Sequence, residues 1–380
     1  MAPNKQSKKR VYKLVGIFLA GVLVFLAASS RNYIELHERL IIQGLGIDRT
    51  EQGYKVSVQA LKTTEEEKIE LLVTEGDTVY DALNNLSLQI GKVPLYTHNI
   101  MVVIGRSAAE HGLDDVLDFF VRYHEARPTE SVFMARDTAG ELFAHQEDGQ
   151  YTLLKDIDES AHARQYNSQL VQVEVMDVIN DLYRRSNSAH LPILSLEDGK
   201  IQEVGTGIFE GEKLKETLSL EQTRGLMATL NKLEVGTEVV QLSDDISVTM
   251  QYFDCKSRIE TEIKDGKPVF TVKVQCKANI SQMDHPIEDQ MDAHVYPELE
   301  QAVSAKLQEQ IESAIQWAVI DNQCDVFGFG NALLRQQTDY WKEHEDHWRD
   351  DMGKADYFVH VDTTISLEGQ ELSPKPFSVW

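Results

Sequence analysis

Apolar and polar positions along this 380-residue chain switch between two periods, and the switches mark its elements. Strand-like runs occur at LIIQGLGID (40–48), YKVSVQAL (54–61), HNIMVVIG (98–105) and SVFMAR (131–136), each bounded by polar or glycine-containing breaks. Helical spacing appears between them in TVYDALNNLSLQI and DDVLDFFVRYH, so the first half reads as a mixed α/β unit. A further helix is predicted across SQLVQVEVMDVINDLYRR, where Leu170, Val173, Met176, Ile179 and Tyr183 fall at three- and four-residue steps. The RSNSAHLP segment behind it is polar and breaks at Pro192, which places the main boundary close to residue 200.

The second half opens with GTGIFEGEKLKETLSLEQT, a tight hairpin around Glu210 and Gly211. EVVQLSD, ISVTMQYF, SRIETEIK and PVFTVKVQCKANI then follow as consecutive strands, with Lys264-Asp265-Gly266 as a turn, and such succession favours antiparallel pairing. PELEQAVSAKLQEQIESAIQWAVI is the clearest helix, because Leu299, Val303, Leu307, Ile311, Ile315 and Val319 recur every four residues among Glu, Gln and Lys. The chain closes on a half-buried strand in which Val359, Val361, Thr363, Ile365 and Leu367 alternate with polar residues. The predicted class is α+β, with mixed α/β character: a multidomain body with antiparallel-rich sheets and a long C-terminal amphipathic helix, behind an N-terminal membrane segment.

That segment is the uncharged run LVGIFLAGVLVFLAASS between Lys13 and Arg31, with the basic flank KQSKKRVYK before it. A positive flank followed by an apolar stretch directs insertion with the flank left in the cytoplasm, so the body is expected outside the membrane. The apolar core, Leu14 to Ala28, is about fifteen residues against the roughly twenty that span a bilayer. Cleavage near Ala27, Ala28 and Ser29 and retention as a signal anchor both stay open. A lipoprotein would need a cysteine after the small residues, where Ser29 and Ser30 stand. No second apolar stretch approaches spanning length.

With 62 acidic against 37 basic residues the net charge is −25, which repels nucleic acid and supplies no broad cationic surface. Cys255, Cys276 and Cys324 are widely spaced and odd in number, which argues against a disulfide framework. Cys255 and Cys276 both lie in strand-like stretches and can pair if those strands are neighbours; a buried free cysteine is the commoner state.

Several stretches mimic chemistry. Gly44, Gly46 and Asp48 in GLGID lack the third glycine and the following helix start of a phosphate loop, so a strand end or bulge is expected. In CDVFGFGNAL, Gly328 and Gly330 beside Phe327 and Phe329 suit a helix ending and a turn better than a nucleotide cradle. His344 and His347, with Glu343, Glu345 and Asp346, offer metal ligands, but the second His falls one residue short of the zinc-protease spacing. Trp341 and Trp348, seven apart, share a helical face, which reads the patch as an amphipathic helix with buried tryptophans and a solvated charged side. No G-x-S-x-G elbow is present, and paired carboxylates carry no weight in so acidic a chain. Catalytic, cofactor and metal residues are therefore all expected to be absent.

The order of segments is more telling than any one of them. ERLIIQGLGID, then THNIMVVIG with AAEHGLDDVLDFFVRYHEARPT, then GTGIFEGEKLKETLSLEQTRGL, and finally CDVFGFGNALLRQQTDYWKEHEDHW before the last strand resemble the Ger(x)C family, the C subunits of bacterial spore germinant receptors. The resemblance runs from about Glu35 to Gly369. It implies an exported mixed α/β body on the outer face of the spore inner membrane, acting without known catalysis beside two integral membrane partners, a ring-forming A subunit and a transporter-like B subunit. Family members usually begin their mature chain with Cys-Trp-Asp; here Ser30 stands at the place of the lipidated cysteine and Arg31 at the place of the Trp. Serine cannot form the thioether, so the expected tether is the uncleaved N-terminal helix.

The expected division is a basic flank with signal anchor or signal peptide (1–30), a mixed α/β region with room for two subdomains (31–200), and a C-terminal α+β domain (201–380). Two other classes fit an exported chain. A solute-binding protein is disfavoured by the consecutive antiparallel strands of the second half, and a cell-wall hydrolase needs convergent titratable groups. Interface residues cannot be told from ordinary surface in one sequence; on resemblance the candidates are the stretch from Phe327 to Trp348 and the block from His98 to Pro128.

Overall fold

A computed structural model describes residues 12–22, 38–62, 68–123, 125–163, 172–243, 246–283 and 295–366. Residues 12–22 form a short exposed helix, α1. No helix among the described residues is long and apolar enough to cross a membrane. The rest of the apolar run, with Ser30 and Arg31, lies outside the described residues.

The first body is a mixed sheet of nine strands. In chain order the strands are β1 (Arg39–Thr50), β2 (Gly53–Lys62), β3 (Lys68–Gly76), β4 (Val93–Leu95), β5 (Met101–Ile104) and β6 (Ser131–Ala135), then the separate two-residue pair β7 (Gln146–Glu147) and β8 (Gln150–Tyr151), then β9 (His190–Glu197), β10 (Lys200–Glu210) and β11 (Lys213–Leu218). Across the sheet the order is β11-β10-β9-β6-β5-β1-β2-β3, with β4 beside β1. The centre is parallel, β1 to β5 to β6 to β9, and each flank is an antiparallel meander.

Parallel neighbours need long crossovers, and helices supply them here. α3 (Arg106–His111) and α4 (Leu113–Arg122) join β5 to β6. α5 (Ala139–Ala144), α6 (Leu153–Ala163) and α7 (Val175–Tyr183) join β6 to β9, while α2 (Val79–Ile90) precedes β4. Central strands are covered on both faces, which is why MVVI and SVFMA read as unbroken apolar runs. Val102, Ile104, Val132 and Met134 enter the main core, whereas Met101, Val103, Phe133 and Ala135 pack with Leu142 and Phe143 of α5.

Gly44 and Gly46 lie inside β1, with a bulge between Ile42 and Gly44. Their missing side chains admit the Phe143 ring, since a Cβ on Gly46 would stand 2.9 Å from it. Asp48 accepts from the backbone N–H groups of Ala139 (2.8 Å) and Gly140 (2.9 Å) and so caps α5.

Three expectations change. Pro192 does not break the chain: it lies in β9, whose neighbour β6 pairs only at Ile193 and Leu194, so the missing N–H falls outside that ladder. The turn near residue 200 is the Asp198-Gly199 hairpin within one continuous sheet, and the Glu210 hairpin forms that sheet's edge. The helix expected from Ser168 starts at Val175, and its buried stripe is Val175 and Val178, with Met176 and Tyr183 exposed. Val173 precedes it in extended chain, where its carbonyl accepts from the Val132 N–H; Leu170 lies outside the described residues.

The second body is a four-stranded sheet, β12 (Val235–Ser243), β13 (Ile246–Lys264), β14 (Lys267–Met283) and β15 (Asp356–Ile365), in that order. Asp265 and Gly266, both at positive φ, form the two-residue turn between β13 and β14, as such hairpins require. The final strand departs from antiparallel expectation: β15 runs parallel to β14, because the intervening helices carry the chain back to the starting edge.

α8 (Leu220–Thr229) and α9 (Val295–Ile315) cover one face of this sheet, with Leu299, Val303, Leu307, Ile311 and Ile315 buried. A π-helical turn, Gln316–Asp321, extends α9 through Val319. The two helices cross at Gly225, where a Cβ would come within 2.5 Å of the Gln310 carbonyl oxygen. β13 bulges after Phe253, with Asp254 at positive φ. This brings Cys255 opposite Cys276 on β14, and the two form a disulfide with Cα atoms 4.2 Å apart. Cys324 is free and buried.

Two stability measurements follow from this packing. Gly225→Val forces α8 and α9 apart and should cost about 2–4 kcal/mol in urea unfolding; wild-type stability would disprove the crossing. Replacing both Cys255 and Cys276 by Ala opens a loop with a sequence separation of 21 and should cost about 2–3 kcal/mol. A reducing agent should then lower the wild-type unfolding midpoint and leave that of the double variant unchanged.

Candidate functional site

The stretch from Phe327 to Trp348 folds as α10 (Phe329–Gln336), α11 (Thr338–His344) and the 3-10 turn Glu345–His347, followed by α12 (Trp348–Met352). The glycines of FGFG sit at a helix start, which corrects the helix ending expected there. Gly328 takes φ +78 as the residue before α10, and a Cβ on Gly330 would stand 2.8 Å from both the Ser186 carbonyl oxygen and the Trp348 indole nitrogen.

Asp325 organises the start of α10. Its carboxylate accepts from the backbone N–H groups of Gly328 (2.9 Å), Phe329 (2.9 Å) and Gly330 (2.7 Å), and from Trp348 Nε1 (3.1 Å). Burial pushes its pKa up to about 6, and the four donors oppose that rise. The Asp325 carbonyl accepts from the Ser188 N–H, and Asn331 bonds both Asn187 and Ser186, which joins α10 to the segment ahead of β9.

The aromatics of this stretch are core. Phe329 packs 4.8 Å from Phe270 of β14 and Trp348 lies 5.9 Å from the same ring, while Trp341 meets Trp348 edge-on at 5.9 Å. The tryptophans share a buried face, across two helices and a turn. Glu343, Glu345, Asp346 and His347 are exposed, Asp346 pairs with Arg185, and His344 stacks on Tyr340. Among the described residues no group of His, Cys, Asp and Glu is arranged to hold a metal ion.

The block from His98 to Pro128 is built differently. Tyr96, Phe119 and Tyr123 form a ring cluster with centroids 5.1–5.4 Å apart, and Tyr80 of α2 joins it at 6.2 Å. The cluster borders an open cavity of about 700 Å³. On its floor Arg49 lies over the Tyr54 ring and the Tyr54 hydroxyl donates to Asp115 at 3.1 Å. Tyr80 is more than half exposed, so an aromatic ring stands open beside charged groups at the cavity rim.

Beneath the block, Glu130 is buried and accepts from Asn99 and from the Arg127 N–H. Burial outweighs those donors and pushes its carboxyl up to about 7. Neither Glu130 nor Asp325 stood out in the sequence; the one available signal was a carboxylate three to five residues ahead of a glycine-rich helix start.

The class defined by the fold is a mixed α+β body built on two main sheets. Sequence comparison identifies its family. The spore germination protein N-terminal domain matches residues 32–196, and the spore germination B3/GerAC-like C-terminal family matches residues 204–369. The chain belongs to the Ger(x)C family of spore germination proteins.

Spore germination protein B3 of Bacillus subtilis (strain 168) is 23% identical over 348 residues, covering 87% of this chain and 91% of that protein. Spore germination protein KC of the same organism is 22% identical, covering 90% and 92%. The crystal structure of the GerBC protein superposes with a TM-score of 0.60 at 19% identity, covering 85% of this chain and 96% of that one, so the two share a fold.

The raised carboxyls set a pH dependence. Between the ordinary Glu value of 4.5 and about 7, folded Glu130 keeps a proton that the unfolded chain has released; Asp325 does the same from 3.8 to about 6. Stability should therefore fall as pH rises from about 5 to 7.5, by about 1–3 kcal/mol for Glu130. Glu130→Gln should flatten the urea midpoint across that range, and an unchanged slope would assign the effect elsewhere. Asp325→Ala strands three N–H groups and an indole and should cost about 3–5 kcal/mol.

Proposed function

We propose that this protein is a non-catalytic subunit of a spore germinant receptor, acting beside membrane-embedded A and B subunits in nutrient-triggered germination. The observation that carries the reading is family membership over both halves of the chain, together with relatives matched over nearly their whole length. The exposed Tyr80 ring beside the Arg49, Tyr54 and Asp115 cavity fits a role in assembly.

The location proposed is the outer face of the spore inner membrane, with the apolar run from Leu14 to Ala28 as the tether. Ser30 at the family's cysteine position is the reason for choosing the helix over a lipid. The two-unit division belongs to the same proposal: the family matches part between residues 196 and 204, while sheet pairing continues to Leu218. On this reading the units are two sequence modules sharing one sheet.

Purification from spore membranes tests both parts. The protein should be recovered with two polytopic membrane proteins, and recovery as a free soluble chain would sink the receptor reading. Sequencing its N-terminus should find residues ahead of Leu14; a chain starting near Ser29 or Ser30 would rule out the helical tether.

A further inference from the structure

Where α7 and α10 face each other across the junction of the two family matches, the chain leaves a cavity of about 530 Å³. Asn180 and Asp181 of α7 and Arg184, the residue that caps its C-terminal end, line it. Asn331 and Arg335 line it from α10. A second cavity of about 630 Å³ shares Arg184, Asn331 and Arg335, so the two adjoin.

The first residue of β9, His190, lines this cavity and is 7% exposed. Neither of its ring nitrogens has a hydrogen-bond partner. Burial, with the Lys232 ammonium nearby, pushes its pKa down to about 3, so the imidazole is neutral and presents one donor and one acceptor. A buried donor and acceptor without partners are costly, and a polar group seated in the cavity would satisfy them.

The charges around the cavity run against those of the whole molecule. Arg184, Lys232, Arg258 and Arg335 line it against Asp177 and Asp181, in a chain of net charge −25. Both acids are engaged: Asp177 accepts from the Glu174 N–H, and Asp181 accepts from Asn187 at 2.8 Å. Arg258 pairs with Glu260, and Lys232 donates to the Gln172 carbonyl. Among the described residues Arg184 and Arg335 make no close ion pair; Arg184 and Lys232 act on the Asp181 carboxyl from a distance, and its burial outweighs them.

We propose that this cleft binds a small molecule bearing an oxyanion, carboxylate or phosphate, held by the guanidinium groups of Arg184 and Arg335 with a polar end of the ligand against His190. Guanidinium forks match either anion in two-point geometry. The asparagine amides of Asn180 and Asn331 add neutral donors and acceptors along the walls. The site is independent of the receptor-subunit reading, and a negative result here leaves co-purification with membrane partners untouched.

Equilibrium dialysis of the full-length protein in detergent, at fixed ionic strength in sodium chloride, tests this with two probes: radiolabelled inorganic phosphate and radiolabelled succinate. At least one should bind saturably, with one equivalent per chain. Phosphate alone would assign a phosphorylated ligand, succinate alone a carboxylate, and both a general oxyanion site. Arg184→Gln with Arg335→Gln changes two exposed side chains, so the fold should hold by circular dichroism while affinity drops on the order of tenfold or more. Arg335→Gln alone should give an intermediate loss and guards against misfolding of the pair. Arg122→Gln, exposed on α4 and outside the cleft, should bind as wild type. No saturable binding of either probe, or wild-type affinity in the double variant, would overturn the proposal.

Discussion

One buried residue, Asp325, stands where the two halves of this protein meet. Asp325 satisfies three backbone N–H groups at the start of α10 and the indole of Trp348, while its own carbonyl takes the Ser188 N–H from the segment entering β9. Gly330 is the condition for that geometry, since Ser186 and the Trp348 ring both close on it. Once the carboxylate is fixed, the Phe270, Phe329, Tyr357 and Trp348 rings pack against one another. The parallel strand β15 is then delivered to the edge of β14. A buried charge is tolerable here only because every donor around it points inward.

The same device appears in the first body. Asp48 at the end of GLGID caps α5, as Asp325 caps α10. In FGFG the glycine motif that resembles a phosphate loop is already filled by an anion from the chain itself, whereas in GLGID the glycines are ladder positions of β1 and the aspartate behind them serves a different helix. Glycines there admit close packing of an aromatic ring, Phe143 in one case and Trp348 in the other. The starts of α5 and α10 are thereby closed to an external anion.

Period and spacing were enough to read most of the elements: β1, β2, β5, β6, α2, α4, α9 and β15 all lie where the apolar pattern puts them. The pattern failed where a residue's environment, rather than its type, decides. KIELLVTEG went unread because β3 is an edge strand with only partial burial. Pro192 looked like a break because sequence does not show that β6 pairs only beyond it. Met176 and Tyr183 looked like core because their spacing fits a stripe, yet the buried stripe is Val175 and Val178. Pairing of Cys255 with Cys276 depended on a bulge at Asp254, which no local pattern announces. The interface candidates divided likewise: the aromatics after Phe327 are core, whereas Val121 within the other block and Tyr80 beside it are exposed.

Acidity gives the remaining cations their meaning. A net charge of −25 sets up a negative field that repels anions over most of the surface. Several surface lysines and arginines are paired with acids a few residues away, as in Arg106 with Glu110 or Arg122 with Asp118. Such exposed pairs add little stability, but they cancel locally and leave no attraction at a distance. Arg184 and Arg335 are different because they flank a cavity formed by both halves, above a neutral imidazole. An anion reaching that cleft exchanges water for two guanidinium groups in a partly enclosed space, where Coulomb attraction is stronger than at open surface. Since α7 belongs to the first sheet's crossover and α10 to the second body, occupancy of the cleft acts across the same junction where Asp325 stands.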